Sequence, residues 1–331
     1  MMSSTWIAVV LAAAAFTTPT QPSATDQRPQ GPAGAMTVEE LRRHPVRFML
    51  DIPYAGNDNP RQRLDLYLPE QPATDRLPVI VFLHGGGWMQ GDKADGARRL
   101  LPFVAAGRYA GVSAGYRLSG EATWPAQIHD AKAAVRWVRA NAAEHGLDPE
   151  HIAVWGRSAG AHLALMLGAT GDVRDLEGDV GGHPGQSSRV SAVVNFFGVT
   201  DMQALIGETS DIDRTSPEAP EALLIGGALR ENPAKARAAS PLTYVTPGDP
   251  PVLTLHGTGD RTVPYDQAAR LHEALTRARV PSYLITVNKA GHGGFPDEAT
   301  ERTAAFFARV LLGENVTVPT EALNLPPTPP P

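Results

Sequence analysis

Along most of the 331-residue chain, short runs of apolar, strand-favouring residues alternate with segments whose apolar positions recur every three or four residues. That alternation predicts an α/β fold, a mostly parallel central sheet with crossover helices on its faces. Val46 to Ile52 and Arg63 to Leu68 alternate in polarity and predict an opening antiparallel pair. Pro78 to Leu83 (PVIVFL) is continuously apolar, as a strand buried on both faces requires. Tyr109 to Tyr116 predicts a weaker strand interrupted by glycine. Pro125 to His145 carries Ile128, Ala131, Val135 and Val138 at helical spacing, and Gly146 ends that helix. Ile152 to Trp155 predicts a strand running through Gly156-Arg157-Ser158-Ala159-Gly160 into a small-residue helix, Ala159 to Leu167. Val190 to Phe197, Pro251 to His256 and Tyr283 to Val287 predict three more strands, with helical patterns at Tyr265 to Arg277 and Thr300 to Leu312. Asp201 to Pro247, rich in Ser, Pro, Asp and Glu with short helical patches, is a candidate lid. No internal repeat is present.

Composition narrows the class. A hydrophobic fraction of 42% with 19% charged residues suits a chain that buries a sizeable core. A net charge of -6 with both signs interspersed, and no Lys/Arg block beyond pairs such as Arg98-Arg99, argues against a nucleic-acid partner. The absence of cysteine excludes disulfides, thiolate nucleophiles and Cys-ligated zinc. Trp6 to Phe16 (WIAVVLAAAAF) has the length of a signal-peptide apolar region and is too short to span a bilayer. An exported protein without an integral membrane span is therefore expected, although Met1 to Thr5 carries no basic residue. The expected organisation is a leader and flexible lead-in over 1–35, one domain over 36–313 and a Pro-rich tail over 314–331 that ends in PPTPPP.

The chemistry resides in four places. Gly156-x-Ser158-x-Gly160 follows a predicted strand and precedes a predicted helix, so the glycines permit a sharp turn that leaves the Ser158 hydroxyl exposed on its corner. A serine hydroxyl needs a base to take its proton and a third group to hold that base. Asp260, in Leu255-His256-Gly257-Thr258-Gly259-Asp260, and His292, in Ala290-Gly291-His292-Gly293-Gly294, both lie in loops just after predicted strands. As lone residues an Asp in a turn reads as a cap and a surface His as solvated; the order Ser, Asp, His makes them acid and base. His84-Gly85-Gly86-Gly87-Trp88 follows the buried strand directly, and the amides of Gly86, Gly87 and Ala159 are candidates to hold an oxyanion, at about 3 kcal/mol per donor. A phosphate-cradling loop would need a following Lys-Ser/Thr or G-x-G-x-x-G spacing, and neither is there.

With these motifs the chain resembles the secreted esterase and lipase branch of the α/β-hydrolases that carries an HGGGW loop, including feruloyl and acetyl-xylan esterase-like (BD-FAE-like) enzymes. The resemblance rests on Gln62 to Tyr67 (QRLDLY), His84 to Trp88, Gly156 to Gly160, Asp260 and His292, and it covers about Val46 to Leu312. It implies a Ser158-His292-Asp260 triad and a short-chain acyl, feruloyl or acetyl ester as substrate, either a small molecule or linked to a polysaccharide. Ala161 departs from the pattern, since many relatives have a second glycine there.

Other residues carry weaker expectations. Trp88 is a candidate to line the acyl pocket. Arg157 either tunes substrate charge or, as favoured here, points to solvent. Asp201 is an alternative acid or a loop cap, with capping favoured. His84 reads as bracing its loop, and Asp130 and Trp137 read as structural. Gly171 to Ser188 has no assignable motif. No H-E-x-x-H or comparable cluster points to a metal, and no cofactor is expected. The triad does not choose its leaving group, so an amidase or peptidase of the same fold stays open, as does a non-catalytic binding protein; sequence assigns no oligomeric state.

Overall fold

The computed structural model describes residues 35–326. The expected leader and lead-in up to residue 34, and the polyproline end from residue 327, lie outside them. Among the described residues nine strands form one sheet: β1 (Val46–Pro53), β2 (Arg63–Pro69), β3 (Leu77–Leu83), β4 (Ala110–Ala114), β5 (Leu147–Arg157), β6 (Ala192–Phe196), β7 (Val252–Gly257), β8 (Ser282–Asn288) and β9 (Leu323–Asn324). The helices are α1 (Val38–Leu41), α2 (Ala97–Val104), α3 (Ala126–Ala140), α4 (Ala142–His145), α5 (Ala159–Ala169), α6 (Pro220–Ile225), α7 (Pro233–Ala238), α8 (Asp266–Arg277) and α9 (Glu298–Leu311).

The strand order is β1-β2-β4-β3-β5-β6-β7-β8-β9. β1 pairs antiparallel with β2 and β2 with β4, while every later pairing is parallel. The two-residue period of a strand explains why the inner strands read as unbroken apolar runs. In β3, Val79, Val81 and Leu83 face a core shared with α3, α5 and α8, whereas Ile80 and Phe82 face a second core shared with α2 and α9. Among the described residues no helix is long and apolar enough to cross a membrane.

Several boundaries differ from expectation. The pattern over Pro125 to His145 forms two helices, α3 and α4, meeting at Asn141, and Gly146 closes α4 in the left-handed conformation with φ 66°. Residues 314–324, expected within the tail, lie on the body: Val318 and Leu323 are buried, Arg108 pairs with Glu314, and β9 extends the sheet beyond β8. The segment after β6 holds α6 and α7 and is fastened to the domain rather than floating over it. Leu224, Ile225, Leu229 and Ala236 join the core, and Arg214 and Glu221, each 2% exposed, form an ion pair at 3.1 Å. Gly171 to Ser188 packs on α3, where Glu177 accepts hydrogen bonds from Lys132, Arg136 and Ser188.

Candidate active site

The parallel strands deliver their loops to one end of the sheet, where ligands bind in open α/β folds. β5 ends at Arg157, α5 begins at Ala159, and Ser158 between them takes φ 52° and ψ -122°. A non-glycine residue held in that region carries strain of about 1–3 kcal/mol, retained because the surroundings over-determine it. Here the cause is steric: a Cβ on Gly156 would overlap the Gly160 carbonyl, and one on Gly160 would overlap the Leu83 carbonyl. The Ser158 amide donates to the Phe196 carbonyl at 2.9 Å, which ties the corner to β6.

The loops after β7 and β8 bring the other two residues to Ser158. The Gly259 amide donates to the Ala290 carbonyl at 2.9 Å, and a Cβ on Gly257 would collide with that same carbonyl, so the loops are packed backbone to backbone. Asp260 Oδ2 lies 2.7 Å from His292 Nδ1, and His292 Nε2 lies 2.8 Å from Ser158 Oγ. With the Nδ1 proton directed at the carboxylate, Nε2 is left to accept from the serine hydroxyl. The Asp260 side chain is closed from solvent, while that of His292 is 23% exposed. Burial pushes the Asp260 carboxyl up, yet hydrogen bonds from His256, His292 and the Val263 amide outweigh it and hold the group well below the usual carboxylate range.

His256 is the residue that sequence reasoning missed. Its Nε2 donates to the Val263 carbonyl at 2.8 Å and lies 3.3 Å from Asp260 Oδ2, so two imidazoles share one carboxylate oxygen. The available signal was its place at the end of an apolar strand, four residues before Asp260. Asp201, the alternative acid, does not reach His292; its Oδ1 caps the next turn by accepting from the amides of Gln203 and Ala204.

On the other wall, Gly86 and Gly87 follow β3 with φ 115° and 60°. A side chain on Gly86 would collide with the Gln90 carbonyl. His84 braces this loop: its ring stacks on Tyr116 at 4.3 Å, its Nδ1 donates to the Gly85 carbonyl, and burial lowers it to about 4, so it is neutral at physiological pH. Trp88 is not a lining residue, contrary to expectation. Its own φ of 57° turns the chain so that the ring is 1% exposed and meets His162 edge-on at 5.1 Å.

Arg157 also departs from expectation. Its guanidinium lies over the Phe197 ring at 5.2 Å instead of projecting into solvent, and the Phe197 ring in turn lies 4.5 Å from that of His292. Burial, together with repulsion from Arg99, lowers Arg157 to about 10 against the opposing pull of Asp95, leaving it charged at neutral pH. These residues open onto a cavity of about 720 Å³ whose lining includes Gly86, Gly87, Ser158, His292, Phe197 and Pro220. Pro220 is the one position of the candidate lid that reaches it.

A family model described as BD-FAE matches residues 64–275. Esterase LipC of Mycobacterium tuberculosis is 33% identical over 71% of this chain and 58% of its own length. The chain thus spans a little over half the length of the curated relatives it matches, the corresponding share being 58% for esterase LipQ of the same organism. Among solved structures, a truncated carbohydrate esterase from gut microbiota superposes with a TM-score of 0.73 at 32% identity, covering 80% of this chain and 96% of that one. Propionate-bound Est2, an esterase of Thermogutta terrifontis, gives a TM-score of 0.62 at 29% identity, covering 82% and 96%.

Proposed function

The chain belongs to the BD-FAE family and has the α/β-hydrolase fold, and from that premise we propose that it hydrolyses carboxylic esters through an acyl-enzyme, with Ser158, His292 and Asp260 as its triad. The observation that carries the reading is the continuous relay of contacts, 2.7 Å from Asp260 to His292 and 2.8 Å from His292 to Ser158. Ser158 Oγ attacks the ester carbonyl carbon as its proton passes to His292 Nε2. The carbonyl oxygen becomes an oxyanion facing the amides of Gly86, Gly87 and Ala159, which as preorganised dipoles stabilise charge that develops only along the reaction. His292 then gives its proton to the departing alkoxide, so an alcohol leaves and the acyl group stays on Ser158. Water repeats the sequence: His292 takes its proton, hydroxide adds to the acyl carbon, and collapse returns the proton to Ser158 and frees the acid. Asp260 keeps the imidazole in the required tautomer and stabilises its charged form.

The proposed substrates are short acyl esters and feruloyl or acetyl esters, free or on a polysaccharide. The family resemblance and the carbohydrate esterase among the structural neighbours support that choice. The test is a panel of 4-nitrophenyl acetate, butyrate and octanoate with methyl ferulate and acetylated xylan. The wild type is expected to turn over at least one ester, and Ser158→Ala to lower kcat by at least ~10⁴-fold. A loss below tenfold would overturn the assignment. Export is proposed alongside, on the apolar run Trp6 to Phe16; recovery of the chain outside the cytoplasm, cleaved beyond Phe16, is the expected result.

A further inference from the structure

Arginines crowd one wall of the Ser158 cavity. Arg98, Arg99 and Arg157 line it, with Asp95 as its single acidic lining residue, and the same three arginines also line an adjoining hollow of about 260 Å³. Arg98 reaches Glu40 at 3.6 Å. No hydrogen bond or ion pair among the described residues engages the guanidinium of Arg157 or Arg99, and the Arg157 Nε is buried without a partner. A cation taken out of water without a carboxylate is costly, and the Phe197 face offsets only part of that cost. The position of Arg157 is fixed, because it is the residue immediately before the strained Ser158 corner and lies beside Gly293 of the His292 loop.

We propose that this wall is an anion subsite, in which Arg157 and Arg99 receive a carboxylate carried by the ester substrate while its carbonyl sits at Ser158. The inference rests on the esterase reading and names the substrate class within it. A planar guanidinium matches a carboxylate in two parallel charge-assisted hydrogen bonds; Arg157 offers its fork from a half-buried position, and Arg99 adds its own from the exposed rim. Asp95, on the same wall, competes for the two arginines and sets how strongly they hold the incoming group. The carboxylate is carried by either half of the ester: the acyl group, as in a half-ester of a diacid, or the alcohol, as in an acidic sugar.

The experiment compares kcat/KM for carboxylate esters and their neutral carboxamide isosteres. Monoethyl adipate against its primary amide tests the acyl half, and 3-carboxyphenyl butyrate against 3-carbamoylphenyl butyrate tests the alcohol half. The wild type is expected to prefer the carboxylate in at least one pair by roughly tenfold or more. Arg157→Gln should reduce that ratio to below about threefold, Arg99→Gln should reduce it less, and Asp95→Asn should raise it. A ratio near one in both pairs, or one that the three substitutions leave unchanged, overturns the subsite. A purely structural Arg157 would slow both members of a pair alike and leave the ratio intact. 4-Nitrophenyl butyrate reports the esterase reading separately. Should that reading fail, the Kd of monoethyl adipate against its amide on Ser158→Ala still decides the subsite.

Discussion

Asp130 and Asp260 both have side chains closed from solvent, and the molecule neutralises them in opposite ways. Asp130 holds a permanent cation: Arg117 donates to both carboxylate oxygens at 2.7 and 2.9 Å, its amide adds a bond at 2.9 Å, and Gln62 completes the shell at 2.7 Å. Asp260 holds no arginine. Its partners are two imidazoles and two backbone amides, from Thr262 and Val263. The first arrangement has one protonation state in use and fixes α3 to the segment around Arg117. The second faces imidazoles rather than a permanent cation, the arrangement that the proton transfer proposed at His292 requires. A buried aspartate therefore becomes available for chemistry through the kind of cation beside it.

The sharpest way to break the contrast is Asp260→Asn, expected to lower kcat on an active ester by ~10⁴-fold, since an amide no longer selects the tautomer that leaves Nε2 unprotonated. Its thermal midpoint should fall as well, since the ionised carboxyl contributes to the fold, so kcat is read on the folded fraction. The mirror experiment is Asp130→Asn, which leaves Arg117 facing a neutral group and is expected to cost about 3–5 kcal/mol of stability by urea unfolding while kcat of the folded fraction changes little. If both substitutions acted alike, the distinction would be lost.

A smaller effect extends the comparison to histidines. His84 and His162 are fully buried, each with one carbonyl partner, and burial lowers both to about 4. Each ring is neutral in the fold and takes up a proton on unfolding once pH falls below the ordinary value of 6.5, so stability is complete above 6.5 and is lost between 6.5 and 4. Each contributes a loss of about 3 kcal/mol by pH 4, read from urea midpoints across that range. Asp260, held low, contributes stability that is present above 3.8 and lost only as pH falls through more acidic values. Replacing His162 by glutamine should remove about half of the loss in the first window, leaving the share of His84, and keep the second in place.

Much of the architecture was legible in the sequence because burial on both faces writes an unbroken apolar run, as in Pro78 to Leu83, and few other structures need one. The Ser158 corner and the Gly86-Gly87 loop were legible because Gly156, Gly160 and Gly86 sit where a Cβ would strike backbone and Gly87 takes φ 60°. What stayed hidden depended on directions set by tertiary contacts. The ring of Trp88 follows its own positive φ, which no local pattern announces. The orientation of Arg157 depends on Phe197, itself at φ 48°, and on the His292 loop far along the chain. β9 is two residues long, too short to show a period, and Arg214 with Glu221 forms a pair only once the segment after β6 has folded back.

The strand order has a consequence for how the protein is made. Ser158 lies 134 residues before His292, and Asp260 precedes His292 by 32. At a ribosomal pace of about 5–20 residues per second, the serine corner emerges roughly 7–27 seconds ahead of the imidazole proposed to take its proton. A nascent chain halted anywhere in that interval carries Ser158 and the Gly86-Gly87 loop but not His292, and so cannot complete the proposed triad. Appearance of the proposed reactivity at Ser158 then serves as a clock for arrival of the β8 loop, read before β9 joins as the last strand.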